Sequence, residues 1–179
     1  MIKSTLGAVF SLSLLAAMTS TAQARDGRIT FTGNVFAQTC TINGGSGANN
    51  FTVAMRPART DDLGSVGNTY LGSAFQIRLT GCNPPSGRID IEFLTGSSVD
   101  PASGRLKPDP GGATNVHVQL RNANNGAIHI GRPQGEQNTI PQQLANGAAT
   151  FNYSAHYYAT GTASAGPIAS RVEYLIRYI

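Results

Sequence analysis

Between Phe75 and Tyr157 the chain returns repeatedly to one pattern, in which apolar and polar residues alternate with a period of two. Phe75, Ile77 and Leu79 alternate with Gln76, Arg78 and Thr80. Ile89, Ile91 and Phe93 alternate with Arg88, Asp90 and Glu92, and Val116, Val118 and Leu120 with His117, Gln119 and Arg121. Phe151, Tyr153, Ala155 and Tyr157 form a further apolar row. A side-chain period of two is that of a half-buried strand, with one face on a core and the other on water. No segment carries the 3.6-residue period of an amphipathic helix over a useful length. Between the runs lie Asn43-Gly44-Gly45, Asn83-Pro84-Pro85-Ser86-Gly87, Asp109-Pro110-Gly111-Gly112 and Asn124-Asn125-Gly126, all with turn chemistry. The pattern predicts an all-β domain of seven or eight short strands, folded as an antiparallel sandwich of immunoglobulin type.

The first 24 residues stand apart. Lys3 precedes an apolar run from Leu6 to Met18, and Ala22-Gln23-Ala24 has the small-x-small form of a cleavage site. A bilayer-spanning helix needs about 20 apolar residues, and this run is shorter and is interrupted by Ser11 and Ser13. The expectation is a cleaved secretory signal over 1–24, leaving 155 residues (179 minus 24). Two cysteines follow, Cys40 and Cys82. In an exported chain such a pair reads as a disulfide, and closing a loop of this length stabilises the fold by roughly 4 kcal/mol in the chain-entropy account. The formal charge is +4, or +3 without Lys3. The arginines are scattered singly with no interleaved aromatic platform, so a nucleic-acid partner is not expected.

Enzyme chemistry finds little support. Asp90 and Glu92 lie two apart on one strand, a spacing at which a glycosidase pair can be imagined. They are the outward partners of Ile89, Ile91 and Phe93, where acids are ordinarily solvated. Asp61-Asp62 follows Pro57 in a polar stretch and reads as solvated loop, with a weak loop cation site as the alternative. His117, His129 and His156 each take the polar register of an apparent strand, with no grouping of nucleophile, base and acid. No G-x-S-x-G, H-E-x-x-H or phosphate-cradling glycine loop is present. Two cysteines and three dispersed histidines do not make a zinc site, and no cofactor is expected.

The two ends read differently. Ile29-Thr30-Phe31-Thr32-Gly33-Asn34-Val35 alternates before Cys40, and Val172 to Ile179 alternates up to the last residue. Ile29, Phe31, Gly33 and Val35 share one side, which suits strand addition: main-chain hydrogen bonds supply affinity while alternate side chains fill pockets. Each large apolar side chain so buried contributes roughly 1.5–3 kcal/mol. An ordinary first strand, paired within its own domain, would show the same local pattern.

These residues carry a resemblance. Gly27-x-Ile29-x-Phe31-x-Gly33-x-Val35 stands a few residues before Cys40, and Cys82 follows a strand and Gly81. Tyr153 to Gly161, Gly166 fourteen residues from the C-terminus and the penultimate Tyr178 complete the set. Together they resemble the pilin subunits, major or minor, of chaperone–usher (type 1) fimbriae. The resemblance implies an incomplete immunoglobulin-like β-sandwich lacking its last strand, completed by donor-strand exchange. It implies a donor extension over 25–36, with Gly27, Ile29, Phe31, Gly33 and Val35 as its working face, and a pilin domain over 37–179. Cys40–Cys82 would staple the start of that domain to a neighbouring strand. Gly166, Val172, Tyr174, Ile176 and Tyr178 would border the groove and meet a periplasmic chaperone. The implied partners are neighbouring subunits, that chaperone, an outer-membrane usher and, for an adhesive fibre, a host receptor. The implied destination is the cell-surface fimbria, reached through the periplasm. Two other readings stand beside the structural subunit: a polyadhesin whose shaft binds receptor, and an exported monomeric β-sandwich.

Overall fold

The computed structural model describes residues 28–33 and 39–179, which fall in two compact units. The expected signal segment, and Gly27 and Val35 of the expected donor face, lie outside these residues. The short unit, 28–33, has no regular secondary structure, and Ile29 and Phe31 are 80% and 89% exposed.

In the larger unit seven strands form two antiparallel sheets, and one 3-10 turn at Asp61–Leu63 is its only helical element among the described residues. The four-stranded sheet runs in the order β1 (Thr39–Ile42), β2 (Thr69–Asn83), β6 (Ala149–Ala159), β4 (Val116–Asn122). The three-stranded sheet has β3 (Arg88–Phe93) between β5 (Gln142–Gln143) and β7 (Tyr174–Tyr178). The period-two rows become the core. Ile77 and Leu79 from β2, Ile89, Ile91 and Phe93 from β3, and Phe151 from β6 are almost fully buried. Register holds them together: Ile77 faces Phe151 and Leu79 faces Ala149 across the β2–β6 ladder. A slip of one residue would turn either row out to solvent.

Three expectations are corrected. Asp90 is buried rather than solvated, because the segment carrying Thr139 covers that face of β3. Its Oδ2 accepts from the Thr139 hydroxyl at 2.6 Å and its Oδ1 from the Ile91 N–H at 2.8 Å. His129 lies in no strand, since residues around Ala127 make only an isolated bridge to Arg121. The terminal strand begins at Tyr174, two residues later than its alternation, although Val172 still packs on the core.

β5 is only two residues long, too short to pair with the far half of β3. The buried Gln137 side chain takes its place there. Its Oε1 accepts from the Phe93 N–H at 3.0 Å, and its Nε2 donates to the Phe93 carbonyl at 2.8 Å and the Arg132 carbonyl at 2.9 Å.

Candidate strand-docking edge

The sandwich is closed along one flank and open along the other. At the β4–β5 flank, Ile128, Ile130 and Leu144 seal the core and are buried. At the β1–β7 flank the core side chains are only partly covered: Ile42, Phe75, Ile168, Val172 and Ile176 pack on the core yet keep solvent contact. β7 is the edge strand there, bonded to β3 on one side and, among the described residues, to no strand on the other. Unpaired edges of this kind template strand addition.

Alternation sets which β7 side chains line the opening. Tyr174, Ile176 and Tyr178 are half-buried, whereas Leu175 and Arg177 are exposed. Arg177 Nε donates to Glu92 Oε2 at 2.5 Å, a charge-assisted contact between adjacent strands that fastens β7 to β3. Glu92 is thus a strand fastener rather than half of a catalytic pair.

Two tyrosine hydroxyls span the open flank. Tyr178 Oη donates to the Pro84 carbonyl at 3.1 Å and lies 3.8 Å from Cys40 Sγ. Tyr174 Oη donates to the Asn49 carbonyl at 2.9 Å. Desolvation raises the pKa of both phenols above the ordinary tyrosine value, so both remain neutral donors at physiological pH. A relay of rings runs from Phe51 into the core: Phe51 to Phe75 at 6.1 Å, Phe75 to Tyr153 at 5.5 Å, and Tyr153 to Phe93 at 5.4 Å. The last pair is edge-on, the favoured geometry for aromatic quadrupoles.

The disulfide Cys40–Cys82 joins β1 to β2. Gly166 lies elsewhere, on the connection between β6 and β7. A Cβ there would come within 2.9 Å of the Ala113 nitrogen, so only glycine lets these two backbones meet. Sequence reading did not single out Phe51, Met55, Gln137 or the tie from Tyr178 to Pro84. Phe51, Val53 and Met55 do alternate with Thr52 and Ala54, a signal that was available for the first two.

Ser154 Oγ is 3.0 Å from His156 Nε2, but both stand on the outer face of β6, and no hydrogen-bonded carboxylate orients the ring among the described residues. Among those residues no cluster of three His, Cys, Asp or Glu could hold a metal ion. No helix among them is long and apolar enough to cross a membrane.

Residues 57–179 match the family model described as type-1 fimbrial protein, A. The chain is 36% identical to an F17 fimbrial protein of Escherichia coli, over 94% of its own length and 97% of that protein's. It is 37% identical to the major fimbrial subunit SMF-1 of Stenotrophomonas maltophilia, over 92% and 99%. A solved chaperone–usher pilus structure superposes with a TM-score of 0.61 at 17% identity, covering 89% of this chain and 99% of that one, a likeness of fold.

Proposed function

Because the chain belongs to the type-1 fimbrial protein family, as a structural and non-enzymatic subunit of a cell-surface fimbria, we propose that its copies are joined by strand exchange at the open flank. The segment from Gly27 to Phe36 of one copy lies along β7 of the next. Its backbone pairs with the free edge of β7, and Ile29, Phe31 and Val35 cover the half-exposed side chains between β1 and β7. Gly33 shares their register and carries no side chain.

One observation carries this reading: the core is sealed on the β4–β5 flank and partly uncovered on the β1–β7 flank, beside an unpaired strand. An alternating apolar segment in the same chain, with Ile29 and Phe31 exposed, supplies what such a flank lacks. Burying two or three such side chains at roughly 1.5–3 kcal/mol each, together with a continuous ladder, makes a contact that dissociates very slowly.

An uncovered apolar edge is an aggregation hazard. A subunit in transit therefore needs a temporary strand, which is the role proposed for a periplasmic chaperone, with an outer-membrane usher as the place of exchange. The test is electrophoresis in SDS of surface-sheared material, unheated and heated. A multimer ladder that collapses to monomer on heating is expected, and deletion of residues 27–35 removes the ladder while the subunit still accumulates with its chaperone. A ladder that survives the deletion rules out strand donation by this segment.

A further inference from the structure

All the acidic residues that stand in strands belong to one sheet. Asp90 and Glu92 are on β3, whereas β1, β2, β4 and β6 contain no Asp or Glu at all. The outer face of this four-stranded sheet is cationic. Register places Arg121 opposite Ser154, and Ser154 opposite Ala74. Arg78, four residues further along β2, faces outward beside Thr150. Arg105 lies over the same face with its guanidinium carbon 3.5 Å from the Tyr158 ring centroid, and its Nε donates to Gln119 Oε1 at 2.9 Å. Lys107 follows, exposed.

Each guanidinium is steadied by a neutral acceptor and by no carboxylate. Arg78 donates to Gln76 Oε1 at 3.3 Å and Arg121 to the Asn125 carbonyl at 3.4 Å. The two ion pairs among the described residues, Arg171 with Asp109 and Arg177 with Glu92, both involve other residues. Asp100 lies at the Arg105 end of this face, where its N–H donates to the Arg105 carbonyl at 2.8 Å, but its carboxylate accepts from the Ser103 hydroxyl and forms no ion pair with a guanidinium. Among the described residues, none of these three guanidinium groups forms an ion pair.

We propose that this face binds a linear sulfated polysaccharide. Strands lie about 4.8 Å apart and rise about 3.3 Å per residue, so Arg121 and Arg78 are separated by roughly 10 Å across the sheet and 13 Å along it. That span suits an extended polyanion rather than one small anion. Planar guanidinium groups bind sulfate oxygens in bidentate fashion. The exposed pair Gln76 and Asn152, joined at 2.8 Å, offers amide partners for sugar hydroxyls. Two other polyanionic partners fit less well. A single-stranded nucleic acid needs open aromatic platforms, and the Tyr158 ring is already covered by Arg105. A membrane surface needs apolar side chains to insert, and the exposed members of this face include Thr41, Ala74, Gln76, Arg78, Thr80 and Asn152, none of them a large apolar side chain. Independently of how subunits are joined, a fibre repeats the face along its length, so one polymer chain engages many copies and avidity multiplies a modest single-site affinity.

The test uses purified fibres of the full chain and heparin as the probe. The wild type should bind, with affinity falling steeply as salt rises. Arg78→Gln and Arg121→Gln should each lower affinity about five- to tenfold and reduce the slope of log affinity against log salt by about one. Arg105→Lys should keep the slope and lose affinity a few-fold, because the charge stays and the stacked fork goes. Arg132→Gln, which removes the same charge from a loop off this face, should change nothing, with melting curves confirming that every variant folds. Three results would overturn the proposal: no heparin binding by the wild type at about 0.1 M salt, an equal loss for Arg132→Gln, or equally tight binding of single-stranded DNA or anionic vesicles through the same arginines.

Discussion

The hydroxyl of Tyr178 donates to the carbonyl of Pro84 at 3.1 Å, tying the terminal strand of one sheet to the turn that follows β2 in the other. The same oxygen lies 3.8 Å from Cys40 Sγ, so the tie meets the disulfide that anchors β1. Tyr178 is therefore a clasp at one end of the open flank as well as a lining residue. Tyr178→Phe removes the hydrogen bond alone and should cost roughly 0.5–1.5 kcal/mol. Tyr178→Ala also removes a half-buried ring and should cost about 1–3 kcal/mol, less than the 3–5 of a fully buried aromatic. Denaturant unfolding of the purified subunit checks both, and equal stability of Phe and Ala variants would show that the ring contributes nothing.

Gln137 stands in for a strand. Its amide satisfies the N–H and carbonyl of Phe93, both in a buried setting. Gln137→Leu keeps most of the volume and removes both partners, leaving two buried backbone groups unpaired at roughly 1–3 kcal/mol each. Gln137→Glu keeps an acceptor for the Phe93 N–H but loses the donor and buries a charge. Both variants should unfold at lower denaturant, and faster amide exchange at Phe93 is the specific signature of the leucine variant.

At Gly166 the chain passes so close to Gly112 and Ala113 that a methyl group would meet the Ala113 nitrogen at 2.9 Å and its Cα at 3.1 Å. Ala113 N–H donates to the Pro167 carbonyl at 2.9 Å across the same contact. Gly166→Ala must push the two segments apart and strain that bond, and should destabilise the domain by about 1–3 kcal/mol. Gly33→Ala, a Cβ with nothing within 4 Å, should leave subunit stability unchanged. If Gly166→Ala melts at the wild-type temperature, this close approach is not a constraint on the fold.

The strands that form the core were legible because they obey one rule, with Ile77, Leu79, Ile91 and Phe151 each at the apolar beat of a period-two row. Legibility ended where a side chain does the work of backbone or where a loop buries a strand's outer face. Gln137 sits in a polar stretch after Gly135 and Glu136, and nothing local announces that its amide faces Phe93. Asp90 follows the polar beat faithfully and is buried all the same, because Thr139, 49 residues later, covers it. The apolar row Tyr174, Ile176 and Tyr178 was legible as a strand face. That its flank is left partly uncovered depends on which elements pack where, and no local pattern encodes that.

His117 and His156 provide the last expectation, a stability that declines in mild acid. Burial lowers both pKa values below the ordinary histidine value, and for His156 the neighbouring Arg121 lowers it further. His156 also rests against the Gly72 backbone, where a Cβ would fall 2.3 Å from its Nε2. The folded state therefore holds these rings neutral while the unfolded chain protonates them at about pH 6.5. Since the unfolded state binds more protons, stability rises with pH in that window. The full contribution is present above about pH 6.5 and is lost as pH falls from there toward the lowered folded-state values. The melting temperature of the purified subunit should drop between about pH 7.5 and 5, and His156→Gln should flatten the profile by removing one titrating ring. A profile as steep in His156→Gln as in the wild type would assign the acid sensitivity to other groups.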